Sequence, residues 1–170
     1  GADEVLIKVL YTGICGTDWS IYTGNYSADK LPLIPGHEFS GEIAEVGSQV
    51  PGLKEGDKVT ADINMSCGHC FYCRQGMGHI CETMQIIGVD RDGCFAEYVA
   101  VPETACWTWE IPISPEIAAV QDPYGNAVHT ALAQDLVGAD VFITGMWPIG
   151  LAAIPVAKLS GAKPVFVTDV

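Results

Sequence analysis

Residues 140–170, DVFITGMWPIGLAAIPVAKLSGAKPVFVTDV, read in order as strand, glycine turn, helix, strand and acid. The first apolar run, VFIT, stops at Gly145. Residues 149–160 are Ala-rich, suit a helix and are closed by Gly161. Residues 164–167 form a second apolar run, and Asp169 follows. This is the βαβ order of a dinucleotide-binding unit. Two parallel strands do not make a stable sheet by themselves; about three are needed.

The chain before this segment has a different texture. Residues 4–11, EVLIKVLY, alternate polar and apolar as a half-buried strand does. Residues 39–46, 58–63 and 94–101 read as further strands, with turns at Gly47, Pro51-Gly52 and Gly56-Asp57. Residues 11–18 read as a glycine-rich turn that carries Cys15. Trp107 and Trp109 alternate as on one strand face. Helical signals begin after Pro112. Ser114-Pro115-Glu116 opens one helix, and residues 127–136 suit a second. The expected organisation is a β domain over residues 1–112, then connecting helices and a first βαβ unit over 113–170.

With 170 residues and 49% apolar side chains, the chain can bury a sizeable core. Eight basic against 21 acidic residues give a net charge of −13, mostly a solvated surface. That sign opposes nucleic acid and anionic membrane as partners. The uncharged run 141–157 is interrupted by Gly145, Pro148, Gly150 and Pro155, which argues against a spanning helix. Residues 1–8 lack the basic and apolar regions of a signal peptide, so a cytoplasmic location is expected.

Seven cysteines, at 15, 67, 70, 73, 81, 94 and 106, are an odd number and do not suggest a secreted disulfide framework. Four are clustered as Cys67-Gly-His-Cys70-Phe-Tyr-Cys73, then seven residues, then Cys81. Zn²⁺ takes four thiolates tetrahedrally at about 2.3 Å, and a closed shell of four is structural. Scattered buried cysteines or a redox CxxC are the competing readings. His69 and His79 read as loop residues beside this cluster, and His129 as a packed or hydrogen-bonded histidine. Cys15, His37 and Glu38 offer a thiolate, an imidazole and a carboxylate, the ligand types of an open catalytic zinc site. Spacing alone leaves open a free cysteine in a turn and an ordinary histidine.

A wider pattern bears on that choice. Gly36-His37-Glu38-x-x-Gly41-x₅-Gly47-x-x-Val50 resembles the zinc signature of the medium-chain alcohol dehydrogenase family. Cys15-Gly-Thr-Asp18, the four-cysteine lobe, Gly56-Asp-Lys-Val59 and Gly93-Cys-Phe-Ala-Glu-Tyr98 follow in that family's order. Residues 122–132, DPYGNAVHTAL, and 135–138, DLVG, resemble its threonine-oxidising branch more than its sorbitol- or alcohol-oxidising branches. The resemblance covers essentially the whole chain and corresponds to about the first half of such an enzyme.

The resemblance implies a GroES-like β domain joined to the start of a Rossmann domain. It implies a catalytic zinc on Cys15, His37 and Glu38, and a structural zinc on Cys67, Cys70, Cys73 and Cys81. Asp122 would either bind the catalytic metal or stand behind a ligand. Zinc would lower the pKa of the substrate alcohol, Thr17 would pass its proton outward, and NAD would receive the hydride. Gly145, Pro148, Ile149, Gly150 and Asp169 would bind the cofactor. The expected activity is oxidation of a secondary alcohol, with L-threonine giving 2-amino-3-oxobutanoate. A sorbitol- or butanediol-type polyol dehydrogenase and a non-catalytic zinc-bearing relative are the alternatives. The family implies a dimer or tetramer.

Some positions depart from the family. The phosphate turn, normally Gly-x-Gly-Pro-x-Gly, is Gly145-Met-Trp147-Pro-Ile-Gly150 here, and the indole should obstruct the pyrophosphate. Pro155 falls inside the next helix, at a cost of about 3 kcal/mol. Ser20 stands where a relay histidine is usual, and Asn64 where a histidine is common near the threonine site. Asp169, 19 residues after Gly150, would accept the ribose hydroxyls of NAD and repel a 2′-phosphate. With two strands and one helix of the Rossmann unit, the 170-residue chain alone is expected not to turn over threonine.

Overall fold

A computed structural model describes residues 1–109 and 111–170. The chain forms two units, Gly1–Val120 and Gln121–Val170.

The first unit is built on a five-stranded antiparallel sheet. Its strands are β1 (Glu4–Thr12), β2 (Phe39–Val46), β3 (Lys58–Ala61), β6 (Tyr98–Pro102) and β7 (Cys106–Thr108), in the order β6-β1-β2-β3-β7. Alternation sets the inward face: Val5 and Ile7 of β1 point into the core with Phe39, Ile43, Val59, Val99 and Val101. Each such side chain contributes on the order of 1.5–3 kcal/mol when fully buried. Register shifts between Leu6 and Ile7 and between Val9 and Tyr11 mark bulges in the β1–β2 pairing. A two-stranded ribbon, β4 (Asn64–Met65) with β5 (Gln85–Ile86), brackets the four-cysteine segment. Ser114 caps α3 (Pro115–Ala118) through its side chain, and Ser40 Oγ donates to the Pro115 carbonyl at 2.7 Å.

Several expectations need correcting. Residues 11–18 are not one turn: β1 runs to Thr12, and a helix, α1 (Gly16–Tyr22), starts directly after Cys15. Residues 94–97 are not strand: the backbone of Cys94 and Phe95 bonds to the 34–36 segment instead. Cys94 N–H donates to Gly36 O at 2.9 Å and Phe95 N–H to Pro35 O at 3.1 Å. The strand begun at Lys58 ends at Ala61 rather than at residue 63. Trp107 lies on β7 but Trp109 lies beyond its end.

In the second unit, α4 (Gln121–Ala131) begins six residues before the expected start at 127 and ends earlier. Pro123 is tolerated there because the first helical turn has no internal N–H bonds to lose. β8 (Val141–Thr144) and β9 (Val165–Thr168) pair in parallel, joined by α5 (Pro148–Leu159), as the strand–helix–strand reading anticipated. Pro155 lies inside α5, and the helix runs through it. Phe142 and Phe166 are register partners and stay 65% and 55% exposed. Among the described residues no helix is long and apolar enough to cross a membrane.

Candidate functional site

The four-cysteine segment closes on itself. Cys70 caps α2 (Phe71–Arg74), its sulfur accepting the Cys73 N–H at 3.5 Å. Cys67 Sγ accepts the Cys70 N–H and Cys81 Sγ the Cys67 N–H, both at 3.3 Å. Such N–H···S bonds favour thiolate. The sulfurs of Cys67 and Cys73, and of Cys70 and Cys81, lie 4.0 Å apart. A tetrahedral Zn²⁺ with 2.3 Å bonds sets its sulfurs about 3.8 Å apart, so the lobe has the size of one ion. Without a cation the thiols titrate unevenly. The His69 and Cys70 backbone N–H groups hold Cys67 down to about 6, while desolvation and the neighbouring thiols push Cys73 up to about 11. His69 is exposed and bonds to the Cys67 carbonyl, and His79 is exposed in the turn Gly78–Ile80, so both are loop residues.

A second constellation forms where β1, α1 and the 36–38 segment meet. Cys15, His37 and Glu38 offer ligand atoms that all lie within 4.8 Å of one another, although 22 positions separate the first two. His37 and Glu38 are buried and Cys15 is half-buried. Gly13 makes this approach possible: a Cβ there would collide with the Glu38 carboxylate, and its N–H donates to the Glu38 carbonyl at 2.9 Å.

Asp18 carries a role the sequence reading did not assign. It is 4% exposed. One carboxylate oxygen accepts the Cys15 N–H at 2.8 Å; the other accepts the Gly36 N–H at 3.0 Å and lies 3.3 Å from His37 Nδ1. Asp18 therefore ties both segments that carry ligands. Its spacing, three residues after the helix cap at Cys15, is the one sequence signal that could have marked it. His37 Nδ1 is buried and faces Asp18 out of hydrogen-bond alignment. Burial disfavours a charged imidazole, but the Asp18 carboxylate and the Cys15 thiol outweigh it and lift the His37 pKa to about 9. Burial pushes the Cys94 and Cys106 thiols up to about 12, which leaves them inert neutral groups.

A cavity of about 590 Å³ opens beside His37. Thr17, Ser20, Asn25 and Tyr26 give it a polar wall; Ile63, Ile86 and Val89 give it an apolar one. Cys15 Sγ lies 3.7 Å from Thr17 Oγ1, and Ser20 Oγ donates to the Gly16 carbonyl at 3.0 Å. Asn64 lines a different cavity, with Asp62 and Cys67. Asp122 stands in the first turn of α4, in the other unit.

In that unit Gly145 ends β8 with φ +87°, a conformation that favours glycine. A Cβ on Gly150 would run into the Gly145 carbonyl oxygen, so the turn and helix pack as closely as a dinucleotide turn requires. Trp147 is the cap of α5, Pro148 and Ile149 open its first turn, and Asp169 is exposed just past β9.

Residues 1–112 match the alcohol dehydrogenase GroES-like domain. The chain belongs to this alcohol dehydrogenase family. Over its whole length it is 49% identical to the L-threonine 3-dehydrogenase of Streptomyces avermitilis, of which it covers 51%. The crystal structure of galactitol-1-phosphate dehydrogenase from Escherichia coli superposes on 98% of the chain and 48% of that protein, with a TM-score of 0.91 and 36% identity. An NAD-dependent alcohol dehydrogenase superposes on 99% of this chain and 50% of its own, with a TM-score of 0.93 and 31% identity. The chain spans about half the length of the relatives it matches. The GroES-like family assignment agrees with the β domain anticipated from the motifs.

Proposed function

We propose that this chain carries the metal-binding part and the phosphate turn of a zinc- and NAD-dependent dehydrogenase that oxidises L-threonine at its secondary alcohol. The observation that carries this reading is the convergence of Cys15, His37 and Glu38 beside a cavity of about 590 Å³. Identity of 49% to an L-threonine 3-dehydrogenase favours the substrate.

Three protein ligands of sulfur, nitrogen and oxygen type suit a zinc site that keeps one position for substrate. Bound there, zinc would supply Lewis acidity toward the alcohol oxygen, and NAD would supply the hydride acceptor. The remaining work falls to the chain itself. Cys15 and Glu38 bring two negative charges and neutral His37 none, which balances a divalent ion. Asp18 faces His37 Nδ1, leaving Nε2 for the metal and holding the ring in one orientation. Thr17 lines the cavity next to Cys15 and relays the alcohol proton outward, giving its own hydroxyl proton to solvent as it accepts the substrate's. Ser20 can relay that proton but cannot store it, because a hydroxyl does not titrate near neutrality. The wall of Ile63, Ile86 and Val89 receives the substrate methyl and excludes water. Asp169 selects NAD by accepting the ribose hydroxyls and repelling a 2′-phosphate. Four thiolates leave the Cys67–Cys81 lobe no open position, so its zinc is structural.

The polar wall of Thr17, Ser20, Asn25 and Tyr26 favours a polyol substrate as the second reading. Joined to the C-terminal half of the Streptomyces relative, the zinc-loaded chain should form NADH with L-threonine faster than with sorbitol or galactitol 1-phosphate. Cys15→Ser should abolish that activity. A preference for the polyols would replace the substrate, and activity retained in Cys15→Ser would remove the site.

A further inference from the structure

We infer that Trp147 guards the phosphate turn and weakens the binding of any ligand that must lay a pyrophosphate on it. The inference rests on the NAD reading above and concerns what this chain does to that cofactor.

Two of the three glycine positions of the turn keep their physical reasons. Gly145 holds φ +87°, and Gly150 leaves no room for a Cβ against the Gly145 carbonyl. The middle position is different in kind. Trp147 has φ −73° and ψ 175°, ordinary extended backbone for any residue, so an indole costs no strain there. What glycine supplies at this point is open space for the pyrophosphate to approach the backbone. The first bond inside α5 runs from Leu151 N–H to the Trp147 carbonyl at 2.9 Å. The N–H groups of Ile149 and Gly150 therefore point out of the helix end, where an anion would sit. The Trp147 side chain stands at that end and is 74% exposed. Its own unit does not draw it into a core, so the indole is left at the helix end that a pyrophosphate would approach. Pro148 removes one donor from the same turn. The backbone is thus shaped for the dinucleotide, and one side chain obstructs it.

The test is equilibrium binding of NADH and of ADP-ribose, by titration calorimetry, to the chain joined to the C-terminal half of the Streptomyces relative and to the same protein carrying Trp147→Gly. ADP-ribose carries the pyrophosphate without the nicotinamide. Both ligands should bind the variant tighter by about tenfold or more. Trp147 makes no side-chain cap bond and glycine caps helices better than large apolar residues, so the variant should fold; Trp147→Ser gives the same readout with a favoured cap. Equal affinity in the two proteins, tighter binding by the parent, or a gain confined to NADH would overturn the inference while leaving the NAD reading in place. No binding by any form would overturn both.

Discussion

Asp18→Asn is the perturbation that most sharply separates a designed site from a chance cluster. The carboxylate accepts the Cys15 N–H at 2.8 Å and the Gly36 N–H at 3.0 Å, one on each oxygen. A carboxamide has a single acceptor oxygen, so one buried N–H loses its partner and meets an NH₂ group. Hydrogen bonds to a charged group contribute about 1.5–3 kcal/mol each, and an orphaned buried donor keeps its desolvation cost. The Gly1–Val120 unit should therefore lose roughly 2–3 kcal/mol in urea unfolding. The same change frees the Cys15 backbone and removes the charge that faces His37 Nδ1, and loss of such supporting partners weakens metal binding about 10- to 100-fold. Chelator competition on the zinc-loaded protein reads this loss, and the zinc of the four-cysteine lobe serves as the internal control. Unchanged stability and unchanged affinity for the exchangeable zinc would refute the role given to Asp18.

Other expected outcomes follow from single contacts. Cys70→Ser should release one equivalent of zinc by elemental analysis and loosen the lobe, because three ligands do not close the shell. Gly13→Ala drives a methyl into the Glu38 carboxylate, so the exchangeable zinc should be lost while the lobe keeps its own. Gly150→Ala presses on the Gly145 carbonyl and should cost the Gln121–Val170 unit roughly 1–3 kcal/mol by thermal unfolding.

The parts of the fold that depend on local periodicity were legible in the sequence. Residues 39–46 bury Phe39 and Ile43, turn Glu42 outward and are β2. The order of strand, glycine turn, helix and strand after Asp140 appears as β8, α5 and β9. Part of what failed was decided by contacts distant in sequence and part by ambiguous local composition. The α1 helix was hidden because cysteine is an unusual helix cap and Gly16 reads as turn; the Asp18 bonds across to Gly36 hold it. Residues 94–97 look like strand, but the backbone of Cys94 and Phe95 bonds to Gly36 and Pro35. The start of α4 was misplaced because Asp122-Pro-Tyr-Gly125 has turn composition, although proline fits a first helical turn. The clustering of the four cysteines could be read directly because they are close in sequence. The Cys15, His37 and Glu38 group needed a family pattern, since only the folded chain brings it together.

The most direct test is a crystal structure of the zinc-loaded chain with anomalous data at the zinc edge. The account predicts two zinc peaks, one enclosed by Cys67, Cys70, Cys73 and Cys81 and one held by Cys15, His37 and Glu38. A single peak in the four-cysteine lobe, with Cys15 and His37 turned apart, would contradict it.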